Sequence, residues 1–148
     1  MKIAILGSGG REHAIAATIS KSSKIENIYC IPGNAGTLEI ATNIDIDINN
    51  FEALHKFLDE NKIDLVVIGP EQPLVNGIVD YLEKFNIKVF GPNKIASQLE
   101  GSKIFTKKLC EEYNIPTAKF AVIENKLEAK NFLKKSKYPN VIKADNLA

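Results

Sequence analysis

The chain has 148 residues, 19 basic and 18 acidic, for a formal net charge of +1, so no bulk field draws it to nucleic acid or an anionic membrane. Hydrophobic residues make up 45% and charged residues 25%, a globular balance whose apolar runs are too short to span a bilayer. Cys30 and Cys110 match no metal or redox spacing, and the chain opens directly into a strand pattern rather than a signal peptide, so a reducing cytoplasm is the expected setting.

The first element is a strand over Lys2–Leu6, which runs into Gly7-Ser8-Gly9-Gly10-Arg11-Glu12-His13-Ala14 and a helix over Glu12–Ser22. Glycines at such a turn let the backbone come close to a ligand, and the first-turn amides of the helix suit a phosphate. Arg11 is the single arginine among the 19 basic residues, and its planar fork can grip a phosphate or carboxylate at two points. A dinucleotide fingerprint would need a third glycine where Glu12 stands. It would also need a carboxylate at the end of the second strand, which instead reads Tyr29-Cys30-Ile31-Pro32. A nicotinamide-dependent oxidoreductase is therefore the weaker alternative.

The second strand covers Asn27–Ile31, with Cys30 expected in the core. Pro32-Gly33-Asn34-Ala35-Gly36-Thr37 follows as a loop, and Ile44–Ile48 alternates with period two as a short edge strand. A helix over Asn50–Asn61 carries Phe51, Leu54, Phe57 and Leu58 on one face, with His55 off that stripe and expected in solvent. A strand over Asp64–Ile68, a loop from Gly69 to Leu74, a helix over Val75–Phe85, a strand over Lys88–Phe90 and a helix over Lys94–Leu99 complete the first unit. This alternation predicts an α/β fold with a mostly parallel sheet covered on both faces.

A second unit begins near Gly101. Ser102 is a candidate cap for a helix over Lys103–Tyr113, ended by Asn114-Ile115-Pro116. A strand over Ala118–Ile123, a helix over Leu127–Lys135 and a strand over Asn140–Ala144 follow. Lys134, Lys135 and Lys137 read as a solvated helix end, and Asp145–Ala148 shows no terminating structure.

Ligands of a parallel sheet bind beyond the carboxyl ends of its strands. That rule brings together Gly7–His13, Pro32–Thr37 and Gly69–Leu74. Glu71, between Pro70 and Pro73, would repel a phosphate unless it met a hydroxyl or amine of the same ligand. A phosphorylated sugar bearing an amino group fits both demands.

Seven ordered motifs carry a resemblance. They are G-S-G-G-R-E-H-A (Gly7–Ala14), P-G-N-A-G-T (Pro32–Thr37), G-P-E-Q-P-L-V (Gly69–Val75), F-G-P (Phe90–Pro92), L-E-G-S-K-I-F-T-K (Leu99–Lys107), I-P-T-A (Ile115–Ala118) and V-I-K-A-D (Val141–Asp145). The chain resembles, over its whole length, the amino-terminal part of the phosphoribosylamine–glycine ligase family, or glycinamide ribonucleotide synthetases, within the ATP-grasp superfamily.

The resemblance implies a Rossmann-like substrate-binding domain over 1–100 and the beginning of an ATP-grasp domain over 101–148. It implies ATP-dependent ligation of glycine to 5-phosphoribosylamine through an acyl phosphate, in purine biosynthesis, with magnesium or manganese as the metal. Gly9, Gly10 and Arg11 would face the phosphate of phosphoribosylamine and Glu71 its ribose or amine. Glu12, His13, Pro32, Gly33, Asn34, Gly36 and Pro73 complete the implied substrate site, and Lys103, Lys107 and Lys143 the implied ATP site. Two departures stand out: Asn146 replaces an expected glycine, and the phosphate loop and acidic metal ligands of the family would lie beyond Ala148. The chain alone is therefore expected to be inactive, and a non-catalytic phosphosugar-binding module is the competing reading.

Overall fold

A computed structural model of the chain describes residues 1–145. The residues group into two compact units, Met1–Ser97 and Gln98 onward.

The first unit is built on a five-stranded parallel sheet. Its strands are β1 (Lys2–Gly7), β2 (Asn27–Pro32), β3 (Thr42–Asn43), β4 (Leu65–Ile68) and β5 (Val89–Phe90), in the spatial order β3-β2-β1-β4-β5. β1 is central, pairing Ile3 with Ile28 and Leu65, and Leu6 with Ile31 and Ile68. Its run Ile3–Leu6 can be apolar at every position because both faces are covered. Ile3 and Ile5 join Ile28, Cys30, Val67 and Ala16 of helix α1 (Gly10–Ile19) on one face. On the other, Ala4, Leu6, Ile31, Val66 and Ile68 pack with Leu54 and Leu58 of α2 (Phe51–Glu60) and with Ile78, Val79 and Leu82.

α2 has the expected apolar stripe, and the Asn50 side chain caps it by accepting from the Ala53 amide at 3.1 Å. His55 is not in solvent: it is half-buried, its ring stacked on Phe85 at 3.7 Å between centroids. An imidazole offers a flat face, so a position beside the stripe suffices for an aromatic neighbour to cover it.

Two other expectations for the first unit need correction. The helix expected over Val75–Phe85 is two short helices, α3 (Glu71–Asn76) and α4 (Ile78–Glu83), parted by Gly77 at φ +93°. That left-handed conformation ends one helix and starts the next, and it excludes a continuous rod. The period-two segment Ile44–Ile48 follows β3 rather than forming it. The Ile44 amide still reaches the Cys30 carbonyl at 2.9 Å, but the Ile46 amide turns back onto the Ile44 carbonyl and leaves the ladder. Ile44, Ile46 and Ile48 nonetheless pack against the core while Asp45 and Asp47 are exposed. The alternation reports a half-buried extended segment, with or without sheet pairing.

Helix α5 (Lys94–Gly101) runs across the division between the units. The second unit holds α6 (Lys103–Glu112) and α7 (Lys126–Leu133). Ser102 accepts from the Phe105 amide at 3.0 Å, the predicted cap, and Asn125 caps α7 through the amides of Leu127 and Glu128. The strands expected at Ala118–Ile123 and Asn140–Ala144 are absent among the described residues. A strand exists only through a ladder partner, and neither stretch has one. Asn146 lies outside the described residues.

Candidate phosphate-binding cleft

The spatial order of the strands reverses at β1, since β2 and β4 leave from its two sides. In such a sheet the loops at the carboxyl ends of these two strands part and leave a crevice. A cleft of about 400 Å³ lies there, walled by Gly7–Glu12 after β1, Pro70 and Glu71 after β4, and Ile48.

Gly7, at φ +123°, ends β1 in a conformation that L side chains rarely adopt. Gly9 then precedes α1 in extended geometry. Glu12 turns inward: it is 5% exposed and its Oε2 accepts from the Gly9 amide at 2.6 Å. Its side chain fills the space beside Gly7, Gly9 and Gly69, where a Cβ on any of the three would collide with it. Glu12 therefore shapes the loop from within. The first-turn amides from Gly10 onward have no carbonyl one turn earlier to bond, and the space beside the Gly10 Cα is open.

Arg11 spans the crevice. Its Nη1 donates to the Gly69 carbonyl at 2.8 Å and to Glu71 Oε1 at 3.0 Å. Both side chains are accessible, 63% and 39% exposed. Glu71 stands in the first turn of α3 rather than on a loop. Its own backbone amide, and then Arg11, hold its carboxyl below the usual carboxylate range, so it is an anion at neutral pH.

The other expected substrate residues stand outside the cleft wall. His13 lies under the second loop, where a Cβ on Gly36 would approach its Cε1 to 2.7 Å. Asn34 Nδ2 donates to the Ser8 carbonyl at 2.9 Å, tying that loop to the first. Pro32 is the last residue of β2, Gly33 packs on the Asn43 side chain, and Pro73 is buried in the first turn of α3. Proline is tolerated at that place because the missing N–H would have no intrahelical partner.

A group missed by sequence reasoning supports the second loop. Thr37 is fully buried and donates to Asn43 Oδ1 at 2.7 Å. Its Oγ1 accepts from the Asn34 amide at 2.8 Å, and Asn43 Nδ2 donates to the Asn34 carbonyl at 2.7 Å. The neighbouring Cys30 is fully buried, and burial pushes its thiol pKa up. Nothing in the composition of this loop signals that its small polar residues face one another.

In the second unit, Lys103 opens α6. Lys107 Nζ donates to Thr117 Oγ1 and to the Ala118 carbonyl at 3.0 Å, and it lies over the Phe120 ring. Lys143 is exposed on the unpaired stretch before Asp145. Asp145, also missed, accepts from the Ile104 amide at 2.7 Å and from Ser102 Oγ, where a carboxylate suits a helix N-terminus. Among the described residues no group of three or more His, Cys, Asp or Glu side chains could hold a metal ion. None of their helices is long and apolar enough to cross a membrane.

Comparison with known proteins places the fold in a family. Residues 1–100 match the family model for the N domain of phosphoribosylglycinamide synthetase, and residues 101–148 the model for its ATP-grasp (A) domain. The phosphoribosylamine–glycine ligases of Caldanaerobacter subterraneus subsp. tengcongensis and Clostridium acetobutylicum are each 49% identical over all 148 residues. The chain spans 36% of the length of either relative. The crystal structure of the Thermotoga maritima phosphoribosylamine–glycine ligase superposes with a TM-score of 0.78 at 37% identity, covering 99% of this chain and 34% of that one. On the matched domain, the identity and the shared fold, the chain belongs to the phosphoribosylglycinamide synthetase family.

Proposed function

We propose that this chain is the amino-terminal part of an ATP-dependent ligase joining glycine to 5-phosphoribosylamine, and that its first unit holds the phosphosugar. The observation that carries the reading is the cleft at the point where the strand order reverses, with the α1 N-terminus, Arg11 and Glu71 on its wall. In the proposed reaction a carboxylate oxygen of glycine attacks the γ-phosphorus of ATP, releasing ADP. The amine of phosphoribosylamine then attacks the acyl carbon, and phosphate departs with the C–O bond electrons as the amide forms and a proton is lost.

The phosphate of the sugar would take the first-turn amides of Gly10 and Arg11 and the outer edge of the Arg11 guanidinium. Gly9 contributes through backbone shape, since its own amide is bonded to Glu12. Glu71 would accept from a ribose hydroxyl or the amine. His13, Pro32, Gly33, Asn34, Gly36 and Pro73 would act at one remove, by holding the three loops in place. Lys103, Lys107 and Lys143 are proposed for the ATP phosphates, Lys107 after giving up its bonds to Thr117 and Ala118. The described residues do not fit the magnesium or manganese of such a ligase, so its acidic ligands would come from elsewhere. The domain division at 100/101 and a cytoplasmic setting belong to the same reading, and the chain alone would bind without ligating.

The test is titration of the ¹⁵N-labelled chain with ribose 5-phosphate. Amide shifts are expected at Gly7–Glu12 and Glu71, and Arg11→Ala is expected to weaken binding about tenfold, the order of one charge-assisted contact. A folded wild-type chain whose cleft amides do not move at millimolar ribose 5-phosphate would overturn the reading.

A further inference from the structure

The turn before α1 carries Gly7, Gly9 and Gly10 in close succession, and a glycine backbone samples both signs of φ. Left to itself such a turn would hold no single shape. Two of its carbonyls, those of Ser8 and Gly9, accept from Asn34 Nδ2 at 2.9 and 3.3 Å. In a trans peptide unit the N–H points opposite to the C=O. Holding these two carbonyls on Asn34 therefore aims the amides of Gly9 and Gly10 away from it. The Gly9 amide meets Glu12 Oε2 at 2.6 Å. The Gly10 amide opens α1 and has no carbonyl one turn earlier to bond.

Asn34 is itself pinned from several sides. Its Oδ1 accepts from the Thr37 amide at 3.0 Å, and its own amide donates to Thr37 Oγ1 at 2.8 Å. Its carbonyl accepts from Asn43 Nδ2 at 2.7 Å, and Thr37 Oγ1 donates to Asn43 Oδ1 at 2.7 Å. The Asn34 side-chain amide can face only one way, because the Ser8 and Gly9 carbonyls only accept and the Thr37 amide only donates. Asn43 ends β3, which β2 separates from β1. Asn34 is the bridge between that edge strand and the glycine turn.

We infer that Asn43 and Thr37 are positioning residues for the cleft: they hold Asn34, and Asn34 aims the amides of the turn. The inference rests on the phosphosugar reading above and adds two residues that do not meet the ligand, since neither stands on the cleft wall. A turn fixed in advance loses little entropy when a phosphate arrives. A free one has to be ordered at that moment and binds more weakly.

The experiment compares wild type, Asn34→Ala, Asn43→Ala and the double variant, with melting curves to confirm folding. It reads the ¹⁵N-amide shifts of Gly9 and Gly10 in the free chain and the affinity for ribose 5-phosphate. Each single variant is expected to move both amides and to weaken binding about fivefold, the order of one neutral hydrogen bond. The double variant should bind no more weakly than Asn34→Ala, because both substitutions act along one path. Leu58→Ala, buried under α2, should lower the melting midpoint without moving either amide or the affinity, which separates positioning from stability. If Asn43→Ala does not fold, Thr37→Val and Thr37→Ser carry the same test: the first loses the hydroxyl and should behave as described for Asn43→Ala, and the second keeps it and should match wild type. If the amides and the affinity are unchanged in folded Asn43→Ala or Thr37→Val, or if the losses of Asn34→Ala and Asn43→Ala add, this inference is overturned and the phosphosugar site stands. If wild type binds no ribose 5-phosphate, that site fails, and the Gly9 and Gly10 shifts of the free chain still decide whether Asn43 aims the turn.

Discussion

The two units differ in what their helices rest on. In Met1–Ser97 every strand of length meets a helix on at least one face, and Ala4, Ile5, Leu6, Ile31, Leu54 and Leu82 are sealed from solvent. From Gln98 on, α6 and α7 are well capped yet no described residue is buried, and Leu127, Tyr138, Val141 and Ile142 are 69–91% exposed. Caps and periodicity are local and act within a turn or two, whereas a core needs segments from far along the chain. Good helix signals therefore accompany both units, but only the first has the buried area that gives cooperative stability.

The harshest way to break this comparison is to separate the units. Residues 1–99 alone are expected to melt cooperatively near the midpoint of the whole chain, and residues 98–148 alone to show no cooperative transition by circular dichroism. A sharp transition in the second piece would show that exposure there does not mean absence of a core. Leucine truncations come next. Leu54→Ala should cost about 2–5 kcal/mol in urea unfolding, because it opens a cavity between α2 and the sheet, whereas Leu127→Ala should stay within about 0.5 kcal/mol. Gly77→Ala probes the joint of α3 and α4: a left-handed position in L-residues costs about 1–2 kcal/mol, and the new Cβ would meet Lys94 Cδ at 3.2 Å. A loss near zero would mean that the two helices can merge. The finest contrast is chemical. At pH 8, iodoacetamide should label half-buried Cys110 before Cys30, which is enclosed and whose thiol burial pushes up. Labelling of Cys30 first would locate an opening of the sheet that the packing does not suggest.

The backbone plan was legible in the sequence where one segment carries its own signal. The apolar run of β1, the stripe of α2, and Ser102 before α6 each follow from side chains within a few residues of one another. So does the gathering of the loops after β1, β2 and β4 at one edge, because a parallel sheet obliges it. The break at Gly77 was not legible, since a helix interior can also hold a glycine. The alternation of Ile44, Ile46 and Ile48 describes burial and says nothing of pairing. In the site, residue types pointed to phosphate chemistry, but partnership is a matter of rotamers. Glu12 could have faced a ligand as well as the Gly9 amide, and Arg11 could have stood free. Thr37, although it closes the P-G-N-A-G-T stretch, and Asn43 carry no charge, so only the hydrogen bond between them discloses their partnership.

The inward turn of Glu12 has a consequence for how this loop can vary among relatives. Gly7, Gly9 and Gly69 are small where one carboxylate arm occupies the room their side chains would take. A lineage that enlarged any of the three would have to surrender that arm, and with it the bond to the Gly9 amide that sets the start of α1. A lineage that shortened Glu12 would leave a void at the root of the cleft and release Gly9 and Gly69 from that constraint, while Gly7 would stay bound by its φ of +123°. Gly9, Glu12 and Gly69 should drift together or stay fixed together, so an aligned family should display them as a covarying block spread over two distant loops, beside an unchanging Gly7.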